Sequence, residues 1–184
     1  MKTIAVYCSS SNSLDVKYYE QAEELGKWIG ETGRTLVYGG SSLGLMEAVS
    51  RGARKAIDVC NGTGKVVGVV PDVLCERKAV SQNPDEVIPC KDLTERKQIM
   101  MGRSDVFIAM PGSIGTLDEA FSVMAQHIIG IDRKMVIFWN IDGFWNKFFE
   151  FLDWLGTTPV ANKDIKSLYY RADTLEEVIA LCEK

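Results

Sequence analysis

Val106-Phe107-Ile108-Ala109-Met110-Pro111-Gly112-Ser113-Ile114-Gly115-Thr116-Leu117-Asp118-Glu119 passes, without a break, from a β-branched and aromatic run through a tight small-residue turn into the first turn of a helix. Backbone N–H groups at a helix start have no partner inside the helix, and the helix dipole puts partial positive charge there. Glycines at 112 and 115 leave the backbone uncovered, so an anion can approach it. Gly112, Ser113, Ile114, Gly115 and Thr116, the last with a hydroxyl donor, are therefore candidate phosphate-binding residues. The alternative is a structural turn in which Pro111 and Gly112 only reverse the chain and Ser113 or Thr116 caps the helix.

Working outward, similar apolar runs recur at 4–8, 35–38, 66–70, 87–90 and 135–139, and helix-length stretches lie between them. Tyr18, Ala22, Leu25 and Ile29 line one face of a helix over 15–30 that Gly33 ends. Further helices are expected over 43–58, 93–103, 114–129, 143–155 and 175–182, the last capped by Asp173 or Thr174. Strands that are apolar on both faces and alternate with helices imply a mainly parallel sheet covered by its own crossovers. The expected fold is a Rossmann-like three-layer α/β/α sandwich, one domain over 1–184. Ligands of such sheets sit outside the carboxyl ends of the strands, which points to 8–13, 39–44, 71–74 and 111–119. The charged, Pro- and Asn-bearing stretch 76–85 reads as a loop able to act as a mobile flap.

A second strand opens into Gly39-Gly40-Ser41-Ser42-Leu43-Gly44, so Gly39, Gly40 and Ser41 join the candidate binding residues. A dinucleotide fingerprint is weak here, because the loop follows the second strand and Ser41 stands where a glycine would let backbone meet pyrophosphate. The Walker pattern fails as well, since Leu45-Met46 replaces its Lys-Ser/Thr. Among charged residues, Arg96 near a helix start could face the ligand edge or simply be solvated. Glu119 lies about one turn past the proposed phosphate, where a carboxylate suits glycosidic chemistry by stabilising positive charge on a sugar or orienting water. Asp118 points about 100° away from it around the helix, toward solvent or in a place to complement the helix dipole. His127, deeper in the same helix, reads as structural, and Cys8 as a buried apolar residue.

The composition bounds the rest. A chain of 184 residues, 46% hydrophobic and 25% charged, can bury a substantial core unaided. A net charge of −4 gives no general attraction to nucleic-acid polymers or anionic lipid. The start carries no secretory pattern and no run is apolar enough to span a bilayer, so cytoplasmic residence without membrane association is expected. Five cysteines without C-x-x-C spacing and one histidine spell out neither a disulfide framework nor a metal cluster.

Val6-Tyr7-Cys8-x-Ser10, Leu36-Val37-Tyr38-Gly39-Gly40 with Gly44-Leu45-Met46, Glu95-Arg96-Lys97, and Met110-Pro111-Gly112-x-x-Gly115-Thr116-x-x-Glu119 together resemble the LOG (Lonely guy) family. Its members are cytokinin riboside 5′-monophosphate phosphoribohydrolases, formerly labelled possible lysine decarboxylases. The resemblance implies hydrolysis of a nucleoside 5′-monophosphate, such as AMP or an N6-modified AMP, to free base and ribose 5-phosphate. It implies no cofactor, and a homodimer with sites near the subunit interface. It makes Arg96 and Glu119 the catalytic pair, puts Gly112, Gly115 and Thr116 around the phosphate, and gives Lys97 a positioning role. Ser113, Ser41, Glu47, Thr94 and Lys78 depart from the family pattern. At a position needing positive φ, the Ser113 side chain would cost on the order of 1 kcal/mol. A noncatalytic carrier of a nucleotide or phosphate ligand is the alternative. Lysine decarboxylation would need a pyridoxal phosphate lysine and its electronic partners, which no segment suggests.

Overall fold

The period-two alternation of the strands sorts their side chains onto two faces. Ile4, Val6 and Cys8 enter one core with Leu36 and Tyr38, while Ala5, Tyr7 and Val37 enter the other. The computed structural model describes residues 2–76, 79–161 and 164–184. Its strands are β1 (Thr3–Tyr7), β2 (Thr35–Tyr38), β3 (Val66–Pro71), β4 (Glu86–Cys90), β5 (Val106–Ala109), β6 (Val136–Trp139) and β7 (Tyr169–Ala172). They form one parallel sheet in the order β4-β3-β2-β1-β5-β6-β7.

Helices α1 (Val16–Glu31), α2 (Gly44–Cys60) and α7 (Leu175–Cys182) cover the first face. On the other lie α4 (Leu93–Arg103), α5 (Ile114–Ile129) and α6 (Asn146–Gly156), while the short α3 (Asp72–Glu76) follows β3 directly. The strand order reverses at β1, which pairs β2 on one side and β5 on the other. That reversal opens a crevice beyond the carboxyl ends of β1 and β5. Thr174 caps α7, accepting from the Glu177 amide while the Glu177 carboxylate receives the Thr174 amide. No helix among the described residues is long and apolar enough to cross a membrane.

Three features depart from the sequence reading. The strand β7 was not anticipated, because Tyr170 and Arg171 face outward and break the apolar run of this edge strand. The helix α3 occupies part of what reads as loop. The segment 79–83 is tied down rather than presented as a flap: the Ser42 amide donates to Ala79 O at 2.9 Å and the Ser81 amide to Gly40 O at 2.9 Å. Asn83 Nδ2 also donates to Glu47 Oε1 at 3.0 Å, fixing the segment to α2. Lys78 lies outside the described residues.

Candidate active site

The start of α5 is left open by its own sequence. Ser113 occupies the N-cap position, yet its side chain makes no capping hydrogen bond. Its φ of −111° carries no left-handed strain, so a side chain at this departure from the family pattern costs no such penalty. The first helical bond runs from the Leu117 amide to Ser113 O at 3.0 Å, leaving the amides of Ile114, Gly115 and Thr116 without a partner inside the helix. At Gly112 a β-carbon would overlap the Thr116 side chain, so the glycine lets buried Thr116 fold back over the loop. A β-carbon at Gly115 would meet nothing within 4 Å, because that side faces open space.

Opposite stands α4. Asp92 Oδ1 accepts the Glu95 amide at 2.8 Å and Glu95 Oε2 accepts the Lys91 amide at 2.8 Å, which fixes where the helix begins and which residues turn inward. One such residue is Arg96, whose side chain is 9% exposed, as is that of Glu119 on α5. Arg96 Nη2 lies 3.8 Å from Glu119 Oε1, and Arg96 Nε and Nη2 are buried without a hydrogen-bond partner. The guanidinium thus keeps unspent donors, a costly arrangement in a closed core and a useful one beside a ligand. Burial pushes the Glu119 carboxyl up to about 7; Arg96 opposes the rise, Asp118 adds to it and Lys97 subtracts from it.

These groups share one cavity of about 380 Å³ at the crevice between β1 and β5, floored by Cys8–Ser11 and walled by Met46, Leu93, Arg96, Lys97, Ser113, Gly115, Thr116, Asp118 and Glu119. Of the residues expected from sequence, Arg96, Lys97, Ser113, Gly115, Thr116 and Glu119 come together there. Five do not line it. Gly39, Gly40 and Ser41 are buried behind it; Gly39 leaves room for the Arg96 guanidinium, and Ser41 bridges to Val80. The second loop therefore supports the site from beneath instead of contributing to its wall. Gly112 packs under Thr116, and the Ile114 side chain points to solvent at 79% exposure.

Asp118 is exposed, as its solvated reading expects, and in addition its Oδ1 takes the Lys97 ammonium at 2.7 Å at the cavity wall. His127 stays in the last turn of α5, with Nδ1 3.4 Å from Lys134 O. Cys8 borders the cavity, but burial pushes its thiol far up, so it remains protonated and poorly nucleophilic. Sequence reasoning missed Ser9, Ser10 and Ser11 as individual residues, although they fall in a stretch expected at the ligand edge. Met46 belongs to a motif that carries the family resemblance but was not singled out for the site, and Leu93 gave no signal, because apolar residues at helix starts read as core. Among the described residues, no group of three or more His, Cys, Asp or Glu side chains is arranged to hold a metal ion.

The model of the family described as possible lysine decarboxylase matches residues 46–182. Cytokinin riboside 5′-monophosphate phosphoribohydrolase LOG from Oryza sativa subsp. japonica is 36% identical over 100% of this chain and 73% of its own length. A second cytokinin riboside 5′-monophosphate phosphoribohydrolase, LOG7 of Arabidopsis thaliana, is 39% identical over 83% of this chain and 67% of its own. Among solved structures, the molybdenum cofactor binding protein of Rippkaea orientalis superposes with a TM-score of 0.73 at 25% identity, covering 100% of this chain and 96% of that one. The Moco carrier protein of Chlamydomonas reinhardtii gives 0.69 at 26% identity with the same coverage. The fold, the family model and the likeness of this whole chain to the rice protein agree that it belongs to the LOG family, the group whose model is described as possible lysine decarboxylase.

Proposed function

We propose that this protein hydrolyses the N-glycosidic bond of a nucleoside 5′-monophosphate, AMP or an N6-modified AMP, releasing the free base and ribose 5-phosphate. The observation that carries the reading is the buried Arg96 and Glu119 pair facing one cavity at the open start of α5. The 5′-phosphate binds the amides of Ile114, Gly115 and Thr116, with the hydroxyls of Ser113 and Thr116 beside them. Anchored there, the ribose extends along α5 toward Glu119. Arg96 offers Nε and Nη2 to ribose hydroxyl oxygens or to the departing base.

As the bond from C1′ to the base nitrogen lengthens, positive charge grows on the sugar and the Glu119 carboxylate stabilises it. Water then adds to C1′, giving up a proton to Glu119, while the base leaves with the bonding pair and takes up a proton from water, and Glu119 releases its proton to solvent to restore the carboxylate. The fit of this site to the activity named for the plant relatives supports the reading.

A second copy of the chain is proposed to cover the apolar side chains exposed on α5 and α6, Ile114, Phe121, Phe151 and Trp154 among them. The setting proposed is cytoplasmic. The full-length likeness to molybdenum cofactor carriers favours a second reading, a phosphate-ligand carrier without turnover. Incubating the protein with AMP and with a prenylated AMP, and assaying for free base and ribose 5-phosphate, separates the two. Product supports the hydrolase, and binding without product supports the carrier. Sedimentation gives the subunit number.

A further inference from the structure

Arg96 and Lys97 are consecutive on α4, and Asp118 and Glu119 are consecutive on α5. The two helices are joined twice across the cavity, by Arg96 with Glu119 at 3.8 Å and by Lys97 with Asp118 at 2.7 Å. The rungs are unlike. The first is buried, long and short of hydrogen bonds, whereas the second is shorter, with Lys97 at 19% and Asp118 at 47% side-chain exposure. All four side chains line the same cavity. The outer pair places one charge of each sign beside the buried pair.

We propose that Lys97 and Asp118 form an outer ion pair whose two opposite charges balance the field around the Arg96 and Glu119 pair in the shared cavity. The proposal rests on the hydrolase reading only for its effect on turnover. Around Glu119 the charged and titratable groups are Arg96 and Lys97 from α4, Asp118 from its own helix, and Tyr7 and Cys8 from the end of β1. The phenol and the thiol are both buried and shifted upward, so they stay neutral near pH 7. The outer rung is then the adjustable part of the field, Asp118 raising the carboxyl and Lys97 lowering it.

Opposite substitutions test this. Asp118→Asn keeps an oxygen for the Lys97 ammonium but removes the negative charge, and Lys97→Met keeps the apolar stem but removes the positive one. In the full chain, the titration of the Glu119 carboxyl, followed by carbon NMR without nucleotide, should move down in pH for Asp118→Asn and up for Lys97→Met. Each shift should be about half a pH unit or more. The double variant should return toward the parent, and Asp118→Glu should behave nearly as the parent.

With AMP as substrate, the acid limb of kcat against pH should move in the same two directions. Shifts of like sign, or none, in correctly folded variants overturn the proposal, as does loss of folding in both single variants with no rescue by Asp118→Glu. Because the NMR readout needs no turnover, failure of the protein to hydrolyse AMP overturns the hydrolase reading without moving this result.

Discussion

Gly39 and Arg96 are interlocked: the Arg96 guanidinium occupies the space in which a β-carbon of residue 39 would stand. The glycine loop after β2 therefore acts on the site through a cation carried by α4, and the two loops that look alike in sequence do different work. The loop before α5 presents amides, and the loop after β2 makes room.

Gly39→Ala should push the guanidinium from its seat. A displacement of about 1 Å at a positioned group costs roughly 100-fold in turnover. The backbone at residue 39 is not among the positive-φ positions, so the loss should exceed any effect on the thermal midpoint. Steady-state hydrolysis beside a melting curve checks it; unchanged turnover would remove the steric coupling.

Glu119→Gln should lower kcat by at least about 100-fold and leave the affinity for ribose 5-phosphate within a few-fold of the parent. Calorimetry alongside product formation measures both. Equal loss of binding and turnover would place Glu119 on the phosphate instead of the sugar.

The carboxyl of Glu119, raised to about 7 by burial, must be ionised to stabilise the sugar cation and accept a proton from water. Turnover should accordingly fall as pH drops below about 7. Stability runs the other way. A carboxyl raised above its unfolded value, about 4.3, contributes fully below that value and loses the contribution as pH rises through the folded one. Between about pH 4 and 7 the parent should lose stability relative to Glu119→Gln in denaturant titrations, and parallel curves would contradict the buried ionisation.

Gly115 is exchangeable as far as packing goes, since a β-carbon there meets nothing within 4 Å. Gly115→Ala should hold or raise the thermal midpoint, because alanine is the better helix former by about 1 kcal/mol. The added methyl should nevertheless raise KM for the nucleotide about tenfold by crowding the amides. A variant both stable and fully active would show that no anion uses that opening.

Much of this architecture was legible because the apolar runs are unambiguous. Residues 35–38 and 106–109 fall on β2 and β5 as expected, and the Rossmann-like parallel sheet follows from alternation with helices. The strand β7 was hidden by Tyr170 and Arg171, whose exposure at a sheet edge erases the hydrophobic signal. Arg96 and Glu119 could be selected one by one from helix position, but their approach to 3.8 Å depends on how α4 packs against α5. The Lys97 and Asp118 bond is invisible to sequence for the same reason. A helical wheel assigns Asp118 a direction without knowing that a lysine of another helix stands there. Gly39, Gly40 and Ser41, read as candidate binding residues, lie behind the cavity wall, because a glycine-rich turn at a strand end signals close approach without saying whether ligand or protein approaches.

Comparing the hydrolysis of AMP with that of adenosine tests most directly whether the start of α5 anchors a phosphate and so aims the ribose at Glu119. The two share base and sugar and differ only in the 5′-phosphate. The account predicts free base from AMP with kcat/KM at least about 1,000-fold above that for adenosine, because the anchor positions the reacting bond. Equal rates for the two, or binding of AMP with no base released, would contradict it.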